Sequence, residues 1–167
     1  MTAATRILVV SLAGSADRRA LFAERARHSG IEWEFFDACR GLASDLELDE
    51  KAVMLHVGRP LKPAELGCYA SHYSIWQRLL ADDATQYIVL EDDVIADWSM
   101  LRIIAGTDFA ASGVDYLRLY YKVPAEFRVR RRRYLTRTSH LIELTSVGYG
   151  TQGYVITRAG AQRLLPF

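Results

Sequence analysis

Cysteine is nearly missing from this chain: Cys39 and Cys68 are the only two. They stand too far apart for a two-residue-spaced metal clip and are too few for a disulfide scaffold, which favours a reducing compartment. No apolar window approaches the roughly 20 residues of a membrane span. Neither charge is in excess, the formal net charge being +1, so composition demands neither nucleic acid nor a membrane. Phosphate loops are absent too. The turn after the first apolar run is Ala13-Gly14-Ser15, neither a three-glycine dinucleotide fingerprint nor a Walker A loop, and Gly-Lys-Ser and Gly-Lys-Thr occur nowhere. Leu90-Glu91-Asp92 could pass for a Walker B strand end, but without its partner loop an ATPase reading loses its support. Lysine is scarce, three against eighteen arginines, a ratio that reads as compositional bias rather than as structure.

Apolar mass is plentiful. Half of the residues are hydrophobic, enough for one compact α/β domain with a real core over residues 1–167. The chain is organised around Tyr87 to Ile95. Ile88, Val89 and Leu90 read as a strand buried on both faces, as in the middle of a parallel sheet, and it runs straight into Glu91, Asp92 and Asp93. Three adjacent carboxylates repel one another and resist desolvation, so they need something positive. A hard divalent cation, magnesium or manganese, is the expected partner, held by one or two carboxylates and by substrate phosphates. The plainer alternative is that the acids only begin a solvated turn.

Around this strand the chain reads as alternating elements. Ile7 to Leu12 imitates the apolar zone of a secretory signal but is short for one, and reads as a first strand. Ser15 or Asp17 can cap a helix that Gly30 stops, and Ile31, Trp33 and Phe35 then alternate with Glu32 and Glu34 as a half-exposed strand ending at Phe36-Asp37. Strand, helix, strand is the opening of a doubly wound sheet. Asp45 to Val57 suggests a helix with Leu46, Val53 and Val57 inward. From Pro63, tolerated in a first turn, Leu66, Ala70, Tyr73, Trp76 and Leu80 recur as a core-facing helical stripe. Glu65, Cys68 and His72 fall on one arc beside it. A zinc triad there has only one helix behind it. The competing reading makes Cys68 a small buried filler while Glu65, Ser71 and His72 hydrogen-bond toward a neighbouring strand or ligand.

Glu65-Leu66-Gly67-Cys68-Tyr69-Ala70-Ser71-His72, then Trp76, then Leu90-Glu91-Asp92-Asp93, resembles the signature of glycosyltransferase family 25, the lipooligosaccharide galactosyltransferases and their collagen-modifying relatives. Val9 to Leu12 with Arg18-Arg19, Phe36-Asp37-Ala38 with Gly41, and Gly150 to Thr157 with Ala161 and Leu164-Leu165 extend the likeness over nearly the whole chain. It implies a GT-A fold, a Rossmann-like nucleotide-sugar-binding sandwich in which an Asp-x-Asp-like motif binds manganese. On that scheme Asp93 ligates the ion bridging the donor diphosphate. Glu91 faces the ribose or a metal-bound water, and Asp92 orients its neighbours. Ser11, Arg18, Arg19, Asp37, Glu65, Ser71 and His72 are the further substrate-binding candidates, and UDP-galactose is the leading donor. Ser11 stands where the family usually has asparagine. Family members also run well past the Leu164-Leu165 helix, whereas this chain stops at Phe167, so the expected sandwich lacks its C-terminal part.

In the last third, Asp115 to Tyr120 reads as a strand, followed by a loop carrying Arg128 and Arg130 to Arg133. The run is either a solvated basic segment or a docking face, for an anionic glycolipid acceptor or for the inner membrane leaflet. The expected location is the cytoplasm, peripheral on the inner face of the membrane if the docking reading holds, and nucleic acid fits poorly. Gly148, Gly150 and Gly153 permit close backbone approach before the strand Tyr154 to Thr157, and Thr157 caps a last helix. No residue declares itself as the base that takes the acceptor proton; Asp115 and Glu143, near strand ends, are the candidates. The expected function is an inverting, metal-dependent transfer of a hexose from a UDP-sugar to a lipooligosaccharide or related glycan. The alternatives are a non-catalytic nucleotide-sugar or partner-binding remnant and, more distantly, a phosphoacceptor receiver domain, which lacks its acids after the first strand and its late lysine.

Overall fold

A computed structural model describes residues 4–42, 46–148 and 150–165. Five strands form the central sheet: β1 (Thr5–Ser11), β2 (Glu34–Asp37), β3 (Gln86–Glu91), β4 (Tyr116–Arg118) and, late in the chain, β7 (Gly153–Thr157), in the order β2-β1-β3-β7-β4. The acidic strand β3 is thus the middle one. Its partner β1 is parallel to it, as β2 is to β1, but β7 runs antiparallel to both β3 and β4. The sheet is therefore mixed where the apolar run predicts parallel neighbours on both sides. Burial on both faces does not fix the direction of the neighbour, so the run alone could not reveal this.

Helices cover both faces. Ile7 and Val9 of β1 with Ile88 and Leu90 of β3 pack against Phe22 and Ala26 of α1 (Ala16–Ala26) and Leu101 and Ile104 of α4 (Trp98–Ala105). Leu8, Val10, Tyr87 and Val89 point the other way, onto Ile75 and Leu79 of α3 (Pro63–Ala81) and Ala161 of α5 (Arg158–Leu164). This period-two split is the strand alternation the sequence shows. Thr157 caps α5 as expected, its hydroxyl accepting from the Gly160 N–H at 3.2 Å.

Several local expectations are corrected. Residues 31–33 lie outside β2, although Trp33 packs edge-on against Phe22 at 5.0 Å. The second helix, α2, spans Glu50–Val57, is capped by Asp49 and buries none of its side chains; the expected start at Asp45 lies outside the described residues, as does Phe167. The buried face of α3 is Gly67, Ala70, Ser71, His72, Ile75 and Leu79, a stripe rotated from the one the large apolar residues suggest. Small residues face inward because the helix lies tight against the chain beyond β2, where a Cβ on Gly67 would stand 2.4 Å from the Cys39 carbonyl oxygen. Cys68 is exposed, not a buried filler. The arginine run is only partly a loop: Arg128, Arg130 and Arg131 lie on β5 (Phe127–Arg131), which pairs antiparallel with β6 (Leu141–Leu144) in a separate two-stranded sheet, while Arg132 and Arg133 lie in the turn that follows β5. Among the described residues no helix is long and apolar enough to cross a membrane.

Candidate functional site

Three parallel strands end on one edge of the sheet, bringing Ser11, Asp37 and Glu91 together through the register Ser11 to Asp37 and Val10 to Glu91. The first turns of α1 return two arginines to that edge. Arg19 donates to the Ser11 carbonyl at 2.9 Å, to the Ser11 hydroxyl at 3.2 Å and to the Asp37 carboxylate. Ser11 in turn donates to Asp92 at 2.6 Å, and Arg18 donates to the other Asp92 oxygen. Asp92 is only 4% exposed. A buried carboxylate with a donor on each oxygen is a fixed structural charge. Its neighbour Asp93 is open: its side chain is 58% exposed, lies 3.2 Å from Arg18 and lines a cavity of about 700 Å³ with Leu117, Arg118 and His140.

Glu91 faces another way. The loop before β7 crosses the end of β3, with the Glu91 N–H donating to the Gln152 carbonyl at 2.9 Å and the Thr151 hydroxyl donating to the Glu91 carboxylate at 2.7 Å. Gly150 makes the turn at φ +106°, a conformation that side chains disfavour. Burial pushes the Glu91 carboxyl above its ordinary range, and the nearby charges of Asp93 and Asp92 add to the rise against the Thr151 hydrogen bond. Across from it stand two residues of α3. Ligand atoms of Cys68, His72 and Glu91 all lie within 4.8 Å of one another, a set that could hold a metal ion. The Thr151 hydroxyl proton goes to Glu91, so the Cys68 thiol, 3.8 Å away, donates to the Thr151 oxygen. His72 Nδ1 meets the Tyr154 hydroxyl at 2.8 Å, and the Trp76 indole donates to the same oxygen at 3.0 Å. Burial lowers the His72 imidazole to about 4.

Other candidates are placed elsewhere. Glu65 forms a two-pronged ion pair with Arg59 and accepts the Lys62 N–H at 2.7 Å; these contacts hold it down at about 2. Ser71 ties α3 to the β2 exit, accepting the Cys39 N–H at 2.8 Å. Asp115 precedes β4 at the opposite end of the sheet from Glu91, paired with Arg163. Asp115 is therefore not brought to the acidic edge, and Glu143, on β6, is engaged by Arg130. Sequence spacing grouped Glu65 with Cys68 and His72; the third member that the fold supplies is Glu91. A hint was available, since Glu65 sits three residues after Lys62, where a glutamate turns back to cap its own helix.

An α/β sandwich that gathers arginines and carboxylates at the carboxyl ends of its parallel strands has the layout of the nucleotide-binding α/β proteins. Within that class the chain belongs to glycosyltransferase family 25: the family model described as "Glycosyltransferase family 25 (LPS biosynthesis protein)" matches residues 4–167. Curated relatives agree. The chain is 27% identical to a glycosyltransferase 25 family member of Anopheles gambiae, over 96% of this chain and 28% of that protein. It is 26% identical to the lipooligosaccharide biosynthesis protein lic2B of Haemophilus influenzae, over 93% of this chain and 60% of that protein. To human procollagen galactosyltransferase 2 it is 27% identical, over 95% of this chain and 27% of that protein. The chain therefore spans between about a quarter and three-fifths of the length of these relatives.

Proposed function

We propose that this chain carries the donor site of an inverting, metal-dependent glycosyltransferase of the GT-A type. The reading has a hexose, galactose foremost, pass from a UDP-sugar to a lipooligosaccharide or related glycan. What carries it is the end of β3, where Asp92 is pinned between Ser11 and Arg18 while Asp93 stays open on a cavity. The residues suit a hard dication, manganese or magnesium. Among the described residues Arg18 is the cation that forms ion pairs with the acidic triplet, and burial first, then the charges of Asp93 and Asp92, raise the Glu91 carboxyl. Asp93 would hold the ion, with Glu91 turned to the ribose or to a water of its shell. Such an ion stabilises the charge that grows on the departing diphosphate. Ser11, Arg18, Arg19 and Asp37 position that donor, and Arg18 contributes a second positive group beside the phosphates. The relatives' names, lipooligosaccharide biosynthesis and procollagen galactosyltransferase, favour a glycan acceptor and galactose.

One observation favours a second reading, a non-catalytic nucleotide-sugar-binding remnant: both base candidates are engaged in ion pairs, Asp115 with Arg163 and Glu143 with Arg130. Titration calorimetry with UDP, with and without manganese, on wild type and Asp93→Ala, tests the donor site. Manganese-dependent binding lost in the variant is the expected result, and binding indifferent to both changes refutes the site. Galactosyl transfer and UDP release with manganese then separate enzyme from remnant. For location, the arginine-rich β5 supports peripheral docking on an anionic inner leaflet of the membrane of a cytoplasmic protein.

A further inference from the structure

We propose that Cys68, His72 and Glu91 form a zinc site, separate from the hard-cation position at Asp93. The sulfur, nitrogen and oxygen atoms lie within 4.8 Å of one another. Zinc bonds run about 2.0–2.3 Å, so a contraction of about 1 Å brings three such atoms into a tetrahedral shell. Two elements supply the ligands, α3 and the end of β3, which is what the helical spacing alone could not offer.

The second observation is the imidazole. His72 is 5% exposed, yet its Nε2 has no hydrogen-bond partner. A buried ring nitrogen left unpaired costs stability unless something occupies the space before it. Its other nitrogen is already oriented by Tyr154, and Trp76 fixes Tyr154 in turn. This is the arrangement by which outer residues aim a metal-binding histidine. Thr151 does the same for the Glu91 carboxylate.

The donor set selects the ion. A thiolate with an imidazole and a carboxylate suits zinc, whereas magnesium and manganese favour oxygen. Binding releases the Cys68 thiol proton to solvent, and thiolate plus carboxylate then neutralise the dication. Three protein ligands leave the fourth position to water or substrate. It opens beside a hollow of about 910 Å³ lined by Tyr69, Trp76, Tyr116 and Arg118.

The proposal stands without the glycosyltransferase reading, and its test keeps the two apart. Chelator-stripped protein is titrated with zinc and, in parallel, with cobalt, whose thiolate charge-transfer and tetrahedral ligand-field bands report the ligands. Stoichiometric binding is expected, with the thiolate band lost in Cys68→Ser and kept in Cys39→Ser. His72→Gln weakens binding, while Tyr154→Phe, acting through His72, lowers affinity about 10- to 100-fold. Asp93→Asn leaves the cobalt spectrum unchanged, even where it abolishes manganese-dependent UDP binding. Circular dichroism checks that each variant is folded. Failure to retain zinc, a cobalt spectrum that persists in Cys68→Ser, or its loss in folded Asp93→Asn overturns the proposal.

Discussion

Asp92 is the residue on which the rigidity of the acidic edge depends, and replacing it with asparagine measures that dependence. The change keeps size and shape and removes one charge. Both neighbours are donors: Arg18 has no acceptor, and Ser11, whose oxygen receives the Arg19 Nε–H at 3.2 Å, directs its own proton at Asp92. An amide has one oxygen and one NH2 group, so with its oxygen on Arg18 its NH2 faces Ser11, which accepts only by turning its hydroxyl proton away toward the Leu12 carbonyl, 3.5 Å off. The Arg18 ion pair becomes a hydrogen bond to a neutral acceptor, and the charge-assisted Ser11 bond, about 1.5–3 kcal/mol, gives way to a neutral one of reversed direction. The Arg18 side chain is 53% exposed and its pair is partly screened, which moderates the sum. The expected loss is about 2–3 kcal/mol, or about 5–10 °C in Tm for a chain of this size. Urea unfolding followed by circular dichroism is the assay, read as a fall in midpoint at constant slope. Asp93→Asn is the control. Its exposed side chain should keep stability within about 0.5 kcal/mol. A loss below about 0.5 kcal/mol in Asp92→Asn, or one no greater than that of Asp93→Asn, refutes the assignment of Asp92 as a buried fixed charge.

Gly67→Ala drives a methyl group toward the Cys39 carbonyl and should cost about 1–3 kcal/mol by overpacking, with UDP affinity falling as α3 is displaced; calorimetry reads both. Arg158 donates to the carbonyls of Leu79, Leu80 and Asp82 at the end of α3. Arg158→Met should therefore lower stability by about 2–3 kcal/mol in urea unfolding. Glu65 is held at about 2 by Arg59 and the Lys62 N–H. Its folded pKa lies below the unfolded one, so its contribution is present above the ordinary carboxylate range and disappears as pH falls toward 2; Glu65→Gln should flatten that limb of the stability profile. Replacing Arg128 and Arg130 to Arg133 with serine should release the protein from anionic vesicles at low salt, and unchanged partitioning in a sedimentation assay removes the membrane reading.

The centre of the fold was legible because the sequence signals there are both local and strong. Ile88 to Leu90 read as a buried strand and form one, and Pro63 and Thr157 mark helix starts that the structure reproduces. Errors arose where tertiary contact overrode local pattern. On α3 the large residues Tyr73 and Trp76 suggested the core face, but the helix packs through Gly67, Ala70 and Ser71, whose small size permits the close approach to Cys39. Arg128, Arg130 and Arg131 fall in the arginine-rich stretch that reads as a loop; the residues of β5 are all exposed, and pairing with Leu141 to Leu144 makes them a strand. On α2 the reverse holds, since Met54, Leu55 and Val57 are apolar and yet exposed.

The composition of the site follows from the one strand that runs against the others. In a wholly parallel sheet the acidic edge receives only chain that is leaving strands, as Ser11, Asp37 and Glu91 do. Because β7 is antiparallel to β3, with Leu90 opposite Gly153, the chain also arrives at that edge, and the arriving residues are Thr151 and Gln152. They bond to the Glu91 carboxylate and N–H, so the first acid of the triplet is drawn toward Cys68 and His72 on α3 while Asp93 remains on the cavity opposite. Two neighbouring carboxylates on one strand end thereby receive different surroundings. Whether Glu91 and Asp93 share one ion or serve two is what the zinc proposal puts to the test. Changing Thr151 to valine should loosen Glu91 without disturbing Asp93. Weakened cobalt binding in that variant, with manganese-dependent UDP binding intact, is the result this division requires; loss of both together argues for one shared ion.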